Sequence, residues 1–293
     1  MPDNPSFDVA AFSDRLSTTV AEAAERVVAV YGPRQWPASG LLWRPGLVVA
    51  AEETLQGEED LSITLPRGET VEAEIVGRDP STDIVLLRAE TGEAPEWRLA
   101  PMPRVGAMAL AVGRTEESPV AAFGIVTAVG GPWQSLRGGR IDARISLDFT
   151  LPARAEGGAA VLADGSLIGL AVTGPRRRTI VIPATTVERV VTILLDKGYV
   201  ARGYLGVSLQ RVGRRGGQHG LVVMDVEPES PAQKAGFVVG DIITTWNGEP
   251  VRRPGDVARG LGPDTVGQDV VVGVLRGGVA SEITVTIGER PRR

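Results

Sequence analysis

The chain has 293 residues, enough for two or three compact units. Its 43% hydrophobic and 23% charged content is that of a folded protein and excludes a chain dominated by disorder. A net charge of -5, with arginines scattered apart from the run Arg176, Arg177, Arg178, offers no basic field to nucleic acid, and the lack of cysteine excludes disulfides and thiolate metal sites.

The start lacks the basic flank and continuous apolar run of a signal peptide, and no later stretch is long enough to cross a bilayer. As written, the chain is therefore expected in the cytoplasm, with a periplasmic or extracellular place the exception if a signal has been removed. Helical spacing runs from Phe7 to about Ala29, and Val27 to Tyr31 turns β-branched. Short strand-like runs follow, separated by Gly and Pro: Leu47–Ala50, Leu61–Leu65, Val71–Val76, Ile84–Leu87, Met108–Val112, Ile125–Val129, Val161–Leu162 and Leu167–Val172. Many short strands predict a sandwich or barrel. After Pro183, the residues Val187, Val190, Val191 and Leu194 share one helical face, with Gly198 as the stop. A second β-rich unit of roughly 90 residues opens at Tyr204, with helical stretches near Pro231–Ala235 and Gly255–Leu261.

The segments VEAEIVGRDPSTDIVLL, DGSLIGLAV, RGYLGV and SPAQKAGFVVGDIITTWNGEPV, in that order and spacing, resemble the HtrA/Deg serine proteases over nearly the whole chain. The resemblance implies a mainly β protein: a trypsin/chymotrypsin-like double β-barrel followed by a PDZ domain. The domains expected are an N-terminal helical segment over 1–23, the double barrel over 24–183, a connector helix over 184–202 and the PDZ domain over 203–290.

The resemblance also assigns roles. The family's catalytic acid falls on Asp83 in STDIVLL, its histidine position on Glu53 in GLVVAAEETL, and its nucleophile position on Glu156 ahead of Gly157 and Gly158. A carboxylate is a weaker base than imidazole at neutral pH, and Glu156 is a poor attacker of peptides. Loss of triad members costs about four or more orders of magnitude in rate. No rescuing pair is visible. His219, the only histidine, stands in a Gly-rich loop, and neither Lys197 nor Lys234 makes a Ser-x-x-Lys pattern.

These replacements predict that the chain is not an enzyme but a pseudoprotease, with degenerate triad positions Glu53, Asp83 and Glu156 and no cofactor or resident metal. It would bind protein C-termini or unfolded segments through its PDZ domain as a chaperone, adaptor or regulatory partner. The alternative is an HtrA-type endopeptidase with unorthodox or residual activity. Convergence of the three carboxyls, with Glu52 next door, would raise at least one pKa and raises the alternative of a bound hard cation.

PDZ domains add an extended peptide to a sheet edge and receive its terminal carboxylate on loop amides. YLGV resembles that loop. Tyr204, Leu205, Gly206, Val207 and Leu209 are the expected peptide contacts, with Val257 and Leu261 supplied by the facing helix; the alternative is that these are core residues of a small β-domain. The family resemblance further implies a homo-trimer built through Phe7 and Phe12, or a hetero-oligomer with an active homologue. Those two rings could equally staple the helix to its own barrel.

Overall fold

A computed structural model of the chain describes residues 8–32, 37–55, 61–135, 137–213 and 219–290, the first of them Asp8. Its carboxylate accepts from the amides of Ala10 (2.9 Å) and Ala11 (3.0 Å) and so caps helix α1, Val9–Ala24. The helix is shorter than its periodicity predicts. Val27 to Val30 fit helix and strand patterns alike, and burial on both faces decides for the strand. Phe7 lies outside the described residues. The Phe12 ring meets Phe123 edge to face at 6.3 Å, which is the staple geometry.

Six antiparallel strands close the first barrel: β1 Val27–Tyr31, β2 Ala38–Arg44, β3 Leu47–Ala51, β4 Ser62–Thr64, β5 Thr70–Asp79 and β6 Ile84–Ala89, in the order β1-β2-β3-β6-β5-β4. Its interior holds Val28, Val30, Leu42, Val48, Ile63, Val85 and Leu87. Then come β7 Met108–Arg114, β8 Pro119–Gly130, a short hairpin of β9 Trp133–Gln134 and β10 Arg140–Ile141, β11 Arg144–Leu147, β12 Gly158–Leu162, β13 Leu167–Thr173 and β14 Thr179–Pro183. All but the hairpin close a second barrel in the order β11-β14-β13-β12-β7-β8. Its core is built of smaller side chains, among them Ala109, Ala111, Ala160 and Ala171.

Strands β1 and β2 lie against β7, and β12 lies against β2, so all three are covered on both faces, and β1 and β12 read as continuous apolar runs. Ser39, on β2, is fully buried where the barrels meet. Helix α2, Ala184–Lys197, enters from Pro183, buries Val187, Val190, Val191 and Leu194, and ends on Gly198. Burying each of those side chains is worth roughly 1.5–3 kcal/mol, which fixes the helix against β5 and β13.

Chain contacts divide the molecule into two units at Tyr199 and Val200, with Gln134–Arg140 grouped with the second. The second unit carries β15 Gly203–Tyr204, β16 Val207–Gly213, β17 His219–Val226, helix α3 Pro231–Ala235, β18 Ile242–Trp246, β19 Glu249–Pro250, helix α4 Pro254–Arg259, β20 Asp269–Arg276, β21 Val279–Thr286 and β22 Gly288–Glu289. The main sheet runs β16-β17-β18-β20-β21, so β16 is an edge strand, and α4 packs beside it. Leu205, Leu221, Val223, Phe237, Ile243, Trp246 and Val272 fill this core. Among the described residues no helix is long and apolar enough to cross a membrane.

Candidate active site and peptide groove

Two tight turns and one buried serine assemble the acidic site. After β3 the chain makes a single 3-10 turn, Glu52–Thr54, and the amide of Glu53 donates to the Asp83 carboxylate at 2.8 Å. Asp83 is set up by its own approach. Buried Asp79 accepts from the Ser81 amide (3.0 Å) and the Thr82 hydroxyl (2.6 Å), and the tightened chain delivers Asp83 in the left-handed region, φ 59°.

Glu156 follows a second 3-10 turn, Ala153–Ala155. Ser39 grips that turn from both ends: its amide donates to the Glu156 carbonyl (2.8 Å) and its hydroxyl to the Arg154 carbonyl (2.6 Å), while the Arg114 amide donates to the same hydroxyl (2.8 Å). At Gly157, φ 78°, a Cβ would lie 2.5 Å from the Ser39 carbonyl oxygen and 2.9 Å from the Ala51 nitrogen, so the turn closes only with glycine there. The Glu156 carboxylate accepts from the amide of Thr173 (2.6 Å) and from its hydroxyl.

The ionisation of these groups is linked. Burial foremost pushes the Asp83 carboxyl up to about 7; the Glu53 amide opposes the rise, and the charges of Glu53, Glu156 and Glu52 add to it. Burial also raises Glu156, against the two hydrogen bonds from Thr173 and with the charge of Glu53. The structure therefore gathers Glu53, Asp83 and Glu156 into one electrostatic neighbourhood. It gives them no cation cage: among the described residues no group of three or more His, Asp or Glu side chains is arranged to hold a metal ion. The carboxylates of Asp83 and Glu156 accept from protein amides and a hydroxyl instead. What remains is a carboxyl that titrates near neutrality, beside other carboxyls, able to give and take a proton.

In the second unit, Gly206 has φ 80°, and a Cβ there would fall 2.2 Å from Cβ of Ser230. The carbonyls of Leu205 and Gly206 accept from the amides of Ala232 (2.9 Å) and Glu227 (2.9 Å). Among the described residues nothing accepts from the amides of Leu205 and Gly206. Leu205 and Val257 are core residues, 1% and 3% exposed, whereas Val207, Leu209 and Leu261 are half-buried against that core. Tyr204 donates its hydroxyl to the Glu227 carboxylate. His219 begins β17, exposed, in this unit.

Sequence reasoning missed Ser39, Thr173 and Glu227. No residue-type pattern announces them, since each matters through a contact made across 17 or more positions of chain, except that a serine at 0% exposure in a strand must be satisfied somewhere.

Two closed six-stranded barrels followed by a small sheet with an open edge beside a helix define a trypsin-like peptidase fold followed by a PDZ-type fold. Residues 38–170 match the trypsin-like peptidase domain and residues 203–287 the PDZ domain. A Brucella suis protein named "Probable periplasmic serine endoprotease DegP-like" is 30% identical over 268 residues, 84% of this chain and 51% of its own length. The crystal structure of the serine endoprotease from Yersinia pestis is 26% identical, with TM-score 0.74, over 94% of this chain and 98% of that one. The HtrA-type protease AlgW, solved with a tripeptide, is 25% identical, with TM-score 0.72, over 95% and 98% of the two chains. The chain belongs to the HtrA/Deg family, with a trypsin-like peptidase domain and a PDZ domain, and it spans about half the length of the Brucella relative.

These findings correct one expectation outright. The prediction that the chain is not an enzyme does not stand, because the relatives it matches along most of its length are named serine endoproteases. Glutamate at 53 and 156 argues against one mechanism, a histidine-activated serine, and says nothing of hydrolysis by other groups. Nor do the comparisons support a cytoplasmic place, since the Brucella relative is named periplasmic.

Proposed function

We propose that this is an HtrA-type protein of the endopeptidase class that captures extended peptide segments, C-termini among them, at the edge of β16. The observation that carries the reading is that open edge, continued by the unpartnered amides of Leu205 and Gly206 and flanked by half-buried Val207, Leu209 and Leu261. AlgW, a similar protein, was solved with a tripeptide, which supports capture here. The test is fluorescence anisotropy with the full chain and peptides ending in an apolar residue. Micromolar binding is expected, and Gly206→Trp is expected to abolish it with the circular dichroism of the barrels retained. Equal binding by parent and variant rules the loop out.

The state of Asp83 favours a second element of the reading, hydrolysis of the captured segment by carboxyl chemistry in place of a serine and histidine. At neutral pH its carboxyl is part protonated, and in that form it can donate a proton to a reacting amide. The periplasmic address in the Brucella relative's name supports a place outside the cytoplasm.

Assembly belongs to the same proposal. Val105, Met108, Phe123 and Ile125 are exposed on one stretch of the second barrel, next to the Phe12 contact. An apolar face of this kind supports an oligomer, a trimer by family analogy. Light scattering is expected to give a multiple of the 30.8 kDa chain mass and to lose it when the chain starts at Ala24; a monomer in both cases excludes this assembly.

A further inference from the structure

Negative charge, the sign of a peptide's terminal carboxylate, stands beside the YLGV loop. Residues 203–207 contain no charged side chain, but the turn behind them is acidic, with Asp225, Glu227 and Glu229 exposed at the end of β17 and just after it. Of these, Glu227 is tied to the loop twice. Its amide donates to the Gly206 carbonyl at 2.9 Å, and its carboxylate takes the Tyr204 hydroxyl. That hydroxyl lies 3.1 Å from where a Cβ of Gly206 would be, so the Glu227 carboxylate is held within one side chain's width of the glycine at the heart of the loop.

A peptide's C-terminal carboxylate received by the Leu205 and Gly206 amides would enter the field of this fixed negative charge. An internal segment, or one with a blocked end, would not. We infer that Glu227, held in place by Tyr204, is a selectivity element of the PDZ groove that weakens capture of free C-terminal carboxylates relative to internal or blocked segments. The inference rests on peptide capture at β16 and adds to it which kind of segment is favoured. Two neighbouring carboxylates at a wet surface repel enough to change affinity by about three- to fivefold at low ionic strength, and the effect fades as salt is added.

The experiment uses the full chain and one apolar-ended peptide in two forms, free acid and C-terminal amide, titrated at 20 mM and 500 mM salt. Glu227→Gln can still accept from the Tyr204 hydroxyl but removes the charge. It is expected to tighten the free acid about three- to fivefold at low salt, to leave the amide unchanged, and to lose most of the gain at high salt. Tyr204→Phe, which frees the carboxylate to swing away, is expected to give a smaller change of the same sign. If Glu227→Gln shifts both peptide forms equally, or neither, the selectivity role is overturned while capture stands. If the parent binds neither form, capture itself has failed and the inference falls with it.

Discussion

Replacing Asp83 by asparagine is expected to stabilise the protein at pH 8 and to leave it nearly unchanged at pH 4. The carboxyl has an ordinary value of 3.8 and is raised to about 7 in the folded chain, so the folded state holds its proton more tightly than the unfolded one. Its contribution is at its best below the unfolded value. Between about pH 4 and pH 7 the unfolded chain releases the proton while the folded chain keeps it, and stability is lost as pH rises through the folded value. The total loss is up to about 4 kcal/mol, reached above pH 7. Asparagine keeps an oxygen for the Glu53 amide and tolerates φ 59°, so it removes the charge with little other change. The melting temperature of the barrel unit at pH 8 is expected to rise by roughly 5–10 °C, with the gain shrinking toward pH 4. A variant less stable than its parent at both pH values shows that the ionised carboxylate is needed where it stands.

The fold was legible because its signals are local and repeated. Each predicted run over β3, β6, β7 and β13 meets a strand within a residue or two, and Pro183 with Gly198 brackets α2. What was not legible was set by packing. Strand β2 hides in ASGLLWR, whose Gly40 and Ser39 read as turn residues until the barrels bury both faces, and β11 is four residues long. In the site, the positions of Glu53, Asp83 and Glu156 came from family order. The charges of the three do act on one another, as convergence requires, but nothing in the residue order foretold that Glu156 would turn its carboxylate to Thr173 or that Asp83 would be the member raised furthest. Burial decides that, and burial is a property of the closed barrels. In the groove the pattern YLGV did not tell that Leu205 is buried with the core of its unit, its carbonyl accepting from the Ala232 amide.

Hydrolysis on carboxyls makes the largest demand on the site and has the plainest consequence. Glu53 would take a proton from a water whose oxygen adds to the scissile carbonyl carbon, while Asp83 gives its proton to the carbonyl oxygen. Collapse of the diol breaks the carbon–nitrogen bond as the proton held by Glu53 passes to the leaving amine and Asp83 regains its own from a diol hydroxyl. Water is the only co-reactant. Because no histidine or activated hydroxyl takes part, the rate is expected to fall about four orders of magnitude below that of a serine–histidine enzyme. It is also expected to decline as pH rises through about 7, where Asp83 loses the proton it must give. The deciding measurement is mass spectrometry of a casein-like unfolded substrate incubated with the full chain from pH 5 to pH 8, beside Asp83→Asn and Gly206→Trp and with a fluorophosphonate probe in parallel. New internal cleavage products that drop about a hundredfold with Asp83→Asn, fall with Gly206→Trp, and arise from protein the probe does not label are the predicted result. No cleavage above buffer at any pH, or cleavage that Asp83→Asn leaves untouched, contradicts it.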